Sequence, residues 1–476
     1  MDGWIGAQIG APVSRDSLAR FQTQKLRETV AYALENSVFY RERLAGVSPN
    51  DIRSPADLAA LPFTTPEDIV REGERFLCVS QGEFERIVTL QTSGTTQAAK
   101  RLFFTKADLE RTTDFFAVGM SGIVAPGDRT LILLPGELPD SVGDLLRRAL
   151  ERIGAVGIPH GPVRNPAETR AIIRRENVDS LIGIPVQQLS LLRSEGGEPL
   201  PPGQIRNTVL CTDHVPRAIK TALESAWGCR AFGHYGSTEM GLSAGVECAA
   251  RDGYHLREAD LFFEIVDPAT GHTVPDGEPG EIVFTTLDRF GMPLIRYRTG
   301  DVSRFLPAPC PCGSRLPRMA PVRERLGKRI ELGGNRGIHT ADLDEALFPL
   351  PALLDFAAAV DGPPESRTLR LTLRAGRDAV PSTLSAEAEQ AVSRIPGVRA
   401  ARNAGALRIA PPDIQEGNPS SVAPSEPDTE KRGKTMDLFS DSPAASKTET
   451  GPFPLSMGTT KRGVVDRGRS KQRPPR

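Results

Sequence analysis

Residues 129–134 read RTLILL, residues 180–184 SLIGI, residues 208–211 TVLC and residues 230–234 RAFGH. Each is a short, largely apolar run of strand rather than helix length. Helical patterns lie between them; Leu145, Leu146, Leu150 and Ile153 fall on one helical face. Strands alternating with helices imply crossover connections and a mainly parallel sheet, so the chain reads as α/β. Upstream, Arg86-Ile87-Val88-Thr89-Leu90 reads as a further strand, a polar loop runs from Thr92 to Lys100, and a helical stretch begins after Thr105. Residues 15–80 alternate helical patterns with Pro-bounded loops.

Downstream the rhythm changes. Leu261 to Val266 and Glu281 to Thr286 read as strands separated by the turn-rich PATGHTVPDGEPG, which predicts an antiparallel β-subdomain. Residues 328–411 form a smaller α+β unit, with a helix around Asp342 to Phe348, a strand around Thr368 to Leu373 and a helix around Ser385 to Arg394. Residues 412–450 are rich in Pro, Ser, Asp, Glu and Lys and lack periodicity, which predicts a disordered linker. Residues 451–476 form a basic tail. The expected architecture is therefore a large domain, 1–327, with mainly parallel sheets and an antiparallel subdomain, followed by the small domain 328–411.

Composition narrows the class. A length of 476 residues suggests two or three domains. The net charge of −1 gives no global field for nucleic acid or an anionic membrane. No window approaches the ~18 unbroken apolar residues of a membrane helix, and the first sixteen residues, MDGWIGAQIGAPVSRD, do not read as a signal peptide. Six unevenly spaced cysteines argue against a disulfide framework and for the reducing cytoplasm. The basic tail is short and lacks interleaved aromatics, so it reads as a solvated terminus rather than a nucleic-acid site. The oligomeric state is open, a homodimer among the options.

Three polar segments carry candidate chemistry. Thr92-Ser93-Gly94-Thr95-Thr96-Gln97-Ala98-Ala99-Lys100 places hydroxyls and a lysine between a strand and a helix, where they can fold around a polyphosphate or form a plain polar turn. His234-Tyr235-Gly236-Ser237-Thr238-Glu239 follows a buried strand. Its carboxylate can hold Mg²⁺ on a nucleotide phosphate, or be an ordinary surface acid. In Arg296-Tyr297-Arg298-Thr299-Gly300-Asp301, an Asp after a Gly turn can accept bonds from both ribose hydroxyls, or sit in a simple hairpin. A fourth set is Cys248, His255, Cys310 and Cys312. Three thiolates and an imidazole suit tetrahedral Zn²⁺; the alternative is a group of buried free cysteines.

The ordered set TSGTT, YGSTE and YRTGD resembles the adenylate-forming superfamily. The stretch from Tyr235 to Cys312 is similar to its phenylacetate–CoA ligase branch, through YGSTE, GVEC, GYHLREADLFFEIVDPATG, GEIVFTTLDRFGMPLIRYRTGD and CPCG. FYRERL and DIRSPADLAALPFTTPEDI near the N-terminus are similar too. The resemblance covers residues 38–350. Gln97 stands where the family has Gly, Ala99 replaces a common Pro, and Gly327-Lys328 is the best match for the family's Gly-Arg hinge.

The resemblance implies an ATP-dependent acid–thiol ligase whose small domain is a lid. A carboxylic acid, with aryl acetates as the family-level expectation, would become an acyl-adenylate with release of pyrophosphate, and CoA would then displace AMP. It implies that Thr92, Ser93, Gly94, Thr95, Thr96 and Lys100 hold the β- and γ-phosphates and Glu239 ligates Mg²⁺. Thr238 would meet the α-phosphate, within a nucleotide loop that includes Gly236 and Ser237, and Asp301 would bind the ribose. Asp213 would contact the adenine, Tyr235 would flank the nucleotide and acyl sites, and His234 would line the acyl pocket, unless it is a core histidine. The four Cys/His positions resemble structural zinc ligands. The catalytic lysine of the family's closing motif matches Lys461, the alternative being a surface lysine in the tail. Rival readings are transfer to a carrier thiol, adenylylation of a deazaflavin coenzyme, and a catalytically impaired nucleotide-binding protein.

Overall fold

The computed structural model describes residues 1–90, 99–376, 379–416, 440–443 and 464–466. At its centre is a nine-stranded sheet. Its order is Phe305–Leu306, Arg318–Met319, Tyr254–Leu256, Gly245–Glu247, Arg230–Tyr235, Asn207–Leu210, Ser180–Gly183, Arg129–Leu133 and Val156–Pro159. The last five are mutually parallel, and the remaining pairings are antiparallel. The direction changes at Arg230–Tyr235, so the residues after it emerge where the parallel and antiparallel halves meet. The expected parallel strands are thus present, but they make only part of their sheet.

One expected element order is corrected. The helix expected after Thr105 is present as Lys106–Ser121, but the segment that leads into it, Lys100–Thr105, is a strand, paired antiparallel with Phe84–Leu90. The loop therefore spans two strands rather than a strand and a helix. The strand KRLFFT hides its pattern because Lys100, although charged, is only 7% exposed. Thr105 then caps the helix in a capping box with Asp108, which fixes the strand-to-helix corner.

The antiparallel subdomain is a four-stranded sheet in the order Leu261–Val266, Gly280–Thr286, Tyr297–Ser303 and Glu324–Arg325. YRTGD is a second correction. It lies inside a strand and not at a hairpin turn. The pairing register slips between Glu281 and Val283, opposite Thr299-Gly300-Asp301, and Gly300 takes φ +75°. Such a bulge re-aims the side chain that follows it, here Asp301.

The N-terminal segment locks onto this subdomain. Phe39 stacks on Phe76 with centroids 3.9 Å apart, and the Tyr40 hydroxyl accepts from the Ile295 amide at 2.8 Å. Buried Arg296 donates to both Glu264 oxygens at 3.0 and 3.1 Å and to the carbonyls of Ala59 and Leu61. A buried guanidinium needs this many acceptors to offset its lost hydration.

The small unit contains the helix Thr340–Leu347, the antiparallel pair Leu353–Asp361 and Arg367–Ala375, and the helices Pro381–Ser393 and Pro396–Asn403. Asp413–Glu416, beyond residue 411, adds a parallel strand to its sheet, and so does Val464–Asp466 on the other edge. Ser440–Pro443 pairs instead with Arg86–Thr89 of the large unit. The cores of the two units are continuous: Leu189 and Leu223 belong to the same buried cluster as Leu343 and Phe356. Arg193 spans the junction, donating to the carbonyls of Phe348, Leu350 and Leu353 at 2.7–2.9 Å. No helix among the described residues is long and apolar enough to cross a membrane.

Candidate active site and metal cluster

The strand Lys100–Thr105, the loop after Tyr235 and the strand Tyr297–Ser303 converge on one buried polar group. The Lys100 ammonium pairs with the Glu239 carboxylate, and both side chains are less than 10% exposed. The Tyr297 hydroxyl donates to the same Glu239 oxygen at 3.1 Å and lies 3.4 Å from Lys100 Nζ. Burial pushes the Glu239 carboxyl up, but the Lys100 charge and hydrogen bond outweigh it and hold the group down at about 2. Burial, and then the Glu239 charge, push the Tyr297 phenol well above its ordinary value. A buried lysine–carboxylate pair of this kind can exchange partners with an incoming anion and cation.

The loop itself is tight. The amide of Leu242 donates to the Ser237 carbonyl at 2.9 Å and that of Gly241 to the Thr238 carbonyl at 3.0 Å. A Cβ at Gly236 would stand 2.7 Å from the Leu242 carbonyl oxygen, so only glycine fits there. Thr238 is 3% exposed, beside Glu239.

A second polar group adjoins the first. The Tyr235 hydroxyl donates to Asp301 Oδ2 at 3.0 Å, and Arg325 Nε lies 3.6 Å from Asp301 Oδ1. Burial lowers the Arg325 pKa, but Asp301, Glu239, Tyr235 and Tyr297 together raise it above the ordinary value. The two groups therefore share one electrostatic field. Neither Tyr297 nor Arg325 carries an expected role in the sequence. Tyr297 stood inside a quoted motif, whereas the only trace of Arg325 is the charged run RERLGKR, which reads as a solvated segment.

A mainly apolar cleft opens onto the same loop, since Gly236 and Leu242, which flank the Ser237–Glu239 turn, are among its lining residues. Phe115, Phe116, Met120, Leu146, Ile182 and Val246 are among its walls, and Thr212, His234 and Ser243 supply polar edges. Several of these residues lie at or near the carboxyl ends of the parallel strands, where open α/β sheets bind ligands. His234 Nε2 and Ser243 Oγ are 2.6 Å apart, and burial pushes the imidazole down to about 4, so it is neutral near pH 7. Thr212 adopts φ +71°, a strained conformation for a β-branched residue. Asp213 follows it and accepts from the His214 amide at 2.8 Å. Thr92, Ser93, Gly94, Thr95, Thr96 and Lys461 lie outside the described residues.

The expected metal set is brought together. The ligand atoms of Cys248, His255, Cys310 and Cys312 lie within 4.8 Å of one another. The Cys248 and Cys310 sulfurs are 3.6 Å apart, and Cys312 Sγ is 3.3 Å from His255 Nε2. Tetrahedral zinc with ~2.3 Å sulfur bonds would space sulfurs about 3.8 Å apart, so the donors fit that ion. His255 Nδ1 is buried without a hydrogen bond, which leaves Nε2 as the ring atom facing the cluster. Arg318, donating to the Ala308 carbonyl and to Asp252, holds the Cys310 turn against the segment between Cys248 and His255.

Residues 79–287 match the family model for AMP-binding enzymes. The phenylacetate–coenzyme A ligase of Aromatoleum evansii is 32% identical over 67% of this chain and 73% of its own length. That of Escherichia coli (strain K12) is 31% identical over 64% and 71%. Among solved structures, 2-hydroxyisobutyryl-CoA ligase in its postadenylation state matches with a TM-score of 0.71 at 19% identity, over 86% of this chain and 88% of the other, and shows the same fold. The chain belongs to the AMP-binding enzyme family, in its phenylacetate–coenzyme A ligase-like branch.

Proposed function

We infer that this protein is an AMP-forming acid–CoA ligase. The observation that carries the reading is the juxtaposition of a buried Lys100–Glu239–Tyr297 group, an Asp301–Tyr235 pair and an apolar cavity in a chain of this family. A carboxylate is a poor electrophile. Attack of its oxygen on the α-phosphorus of ATP forms an acyl-adenylate and releases pyrophosphate; attack of the CoA sulfur on the acyl carbon then releases AMP. The protein's share is position and charge.

In this reading Thr92, Ser93, Gly94, Thr95, Thr96 and Lys100 bind the outer phosphates. Glu239 would hold Mg²⁺, whose charge would offset that of the phosphates, and Thr238 meets the α-phosphate alongside Gly236 and Ser237. Asp301 takes the ribose hydroxyls, Asp213 meets the adenine, and Tyr235 and His234 border the acid. The neutral, apolar cavity favours an acid with an uncharged tail, an aryl acetate among them. Incubation with ATP, Mg²⁺, CoA and a panel of acids should yield AMP and acyl-CoA in equal amounts; nucleotide binding without either product from any acid would refute the reading. Asp301→Ala removes two acceptors and should weaken ATP binding by about 1.5–3 kcal/mol. Calorimetry finding unchanged affinity in the folded variant would remove Asp301 from the ribose site.

We also read residues 1–327 as the catalytic domain and residues 328–411 as its lid, which the strand Asp413–Glu416 extends beyond the expected boundary; the rest of 412–450 is read as the linker and residues 451–476 as the tail that carries Lys461. The parallel pairing of Val464–Asp466 with the small unit's sheet supports a tail that works with that unit. Lys461→Ala should block formation of acyl-adenylate from acid and ATP, yet still convert supplied acyl-adenylate and CoA to thioester. Normal pyrophosphate release by the variant would send the search for the catalytic lysine elsewhere, with Lys328 the next to test. Four thiolate and imidazole donors support a structural Zn²⁺ at Cys248, His255, Cys310 and Cys312. The cysteines are free, which accords with a cytoplasmic enzyme.

A further inference from the structure

Arg289 lies in the turn after the strand Gly280–Thr286 and is 8% exposed. Its Nη1 donates to the main-chain carbonyl of Glu239 at 2.7 Å, and its Nη2 to that of Phe103 at 3.2 Å. The guanidinium carbon stands 4.5 Å from the centroid of the Phe104 ring. Its Nε makes no hydrogen bond. Burial lowers the pKa of the group, with the charges of Asp108 and Glu239 opposing.

A buried cation bonded to carbonyls costs stability relative to an apolar side chain of similar volume. What the guanidinium offers in return is a rigid fork able to bond two main-chain segments at once. The two segments it joins are those whose side chains form the buried pair. Phe103 is three residues beyond Lys100 on one strand, and Glu239 is the acid itself. Phe104, on the same strand, fixes the plane of the fork.

We propose that Arg289 is a positioning residue that sets the spacing between the strand carrying Lys100 and the loop carrying Glu239, and so holds Glu239 ready for the divalent cation that accompanies ATP. The inference rests on the reading of Glu239 as the Mg²⁺ ligand.

The test is pyrophosphate release over a Mg²⁺ titration at saturating acid and ATP, for the wild type, Arg289→Lys, Arg289→Met, Phe104→Leu and Glu239→Gln. The half-saturating Mg²⁺ concentration should rise about tenfold or more in Arg289→Met. The rise should be smaller in Arg289→Lys, which keeps the charge and loses the fork, and smaller again in Phe104→Leu. KM for the acid should stay unchanged. A purely structural role would lower the melting temperature and scale kcat down without moving the Mg²⁺ midpoint. An unmoved midpoint in Arg289→Lys overturns the proposal; if the Arg289 variants do not fold, an unmoved midpoint in Phe104→Leu does so. Glu239→Gln separates the two levels. If it leaves the Mg²⁺ dependence intact, the ligand assignment fails and the proposal with it. If it shifts the midpoint while the Arg289 variants do not, only the role of Arg289 is lost.

Discussion

Lys100→Met is expected to lower the unfolding free energy by about 3–5 kcal/mol and to abolish pyrophosphate release. The substitution keeps the length and the apolar stem but leaves the Glu239 carboxylate buried without its cation. In the wild type this carboxyl is held at about 2, against 4.5 in an unperturbed glutamate. A depressed pKa contributes stability that is complete above the unfolded value and disappears as pH falls from 4.5 toward 2, here about 3 kcal/mol. Without Lys100, burial is the dominant influence and pushes the pKa up, so the sign reverses: the variant loses stability as pH rises. The gap between the two proteins should therefore widen upward from pH 2 and level off once the variant's carboxyl has ionised. Urea unfolding at several pH values measures it. Parallel stability–pH curves would mean that the pair contributes nothing. The functional loss has a separate origin, because Lys100 also closes the expected phosphate loop, and Arg101, the other cation on its strand, is exposed rather than buried beside Glu239.

The parts of this site that were legible in the sequence are those whose local pattern and chemistry agree. RTLILL, SLIGI, TVLC and RAFGH are strands because nothing in them competes with that conformation. Asp301 and Glu239 were legible as acids within short motifs, and the Cys/His set as a set of zinc-type donors. The strand KRLFFT was not legible, since its first residue is a buried lysine whose partner is 139 positions away. The bulge at Gly300 was read as a turn, because a glycine at positive φ serves both and only the partner strand decides between them. Tyr297, Arg325 and Arg289 were invisible for the same reason. Each makes its contacts with distant segments, and a tyrosine or arginine carries no local mark of the partner it will meet; Arg325 reaches Asp301 while 44% of its side chain stays exposed.

Removal of the zinc proposed at the Cys/His cluster is expected to cost stability and activity together. The cluster joins the antiparallel half of the central sheet to the chain that leaves the Asp301 strand. Cys248 directly follows the strand Gly245–Glu247, His255 lies in Tyr254–Leu256, and Cys310 and Cys312 stand between Phe305–Leu306 and Arg318–Met319. Gly245–Glu247 pairs with the end of the strand that carries His234 and Tyr235, so loosening the cluster reaches the site through one ladder. Apart from the Arg318 bonds to Asp252 and Ala308, the segments around the cluster are joined by short strands that contribute few ladder bonds. Metal binding energy at such a site is folding energy. Chelation, or Cys312→Ser, should therefore lower the unfolding free energy by several kcal/mol, below the ~10–16 kcal/mol of isolated zinc peptides because the sheet also holds these segments. Elemental analysis should find one zinc per chain in the wild type and less in Cys312→Ser. The melting temperature should fall in step with zinc content, and the affinity for ATP should weaken with it, because Asp301 and Tyr235 are carried on the segments the ion joins. Protein produced under zinc-replete conditions that contains no zinc, or a metal-free form with an unchanged melting temperature, would reduce the cluster to four neighbouring side chains.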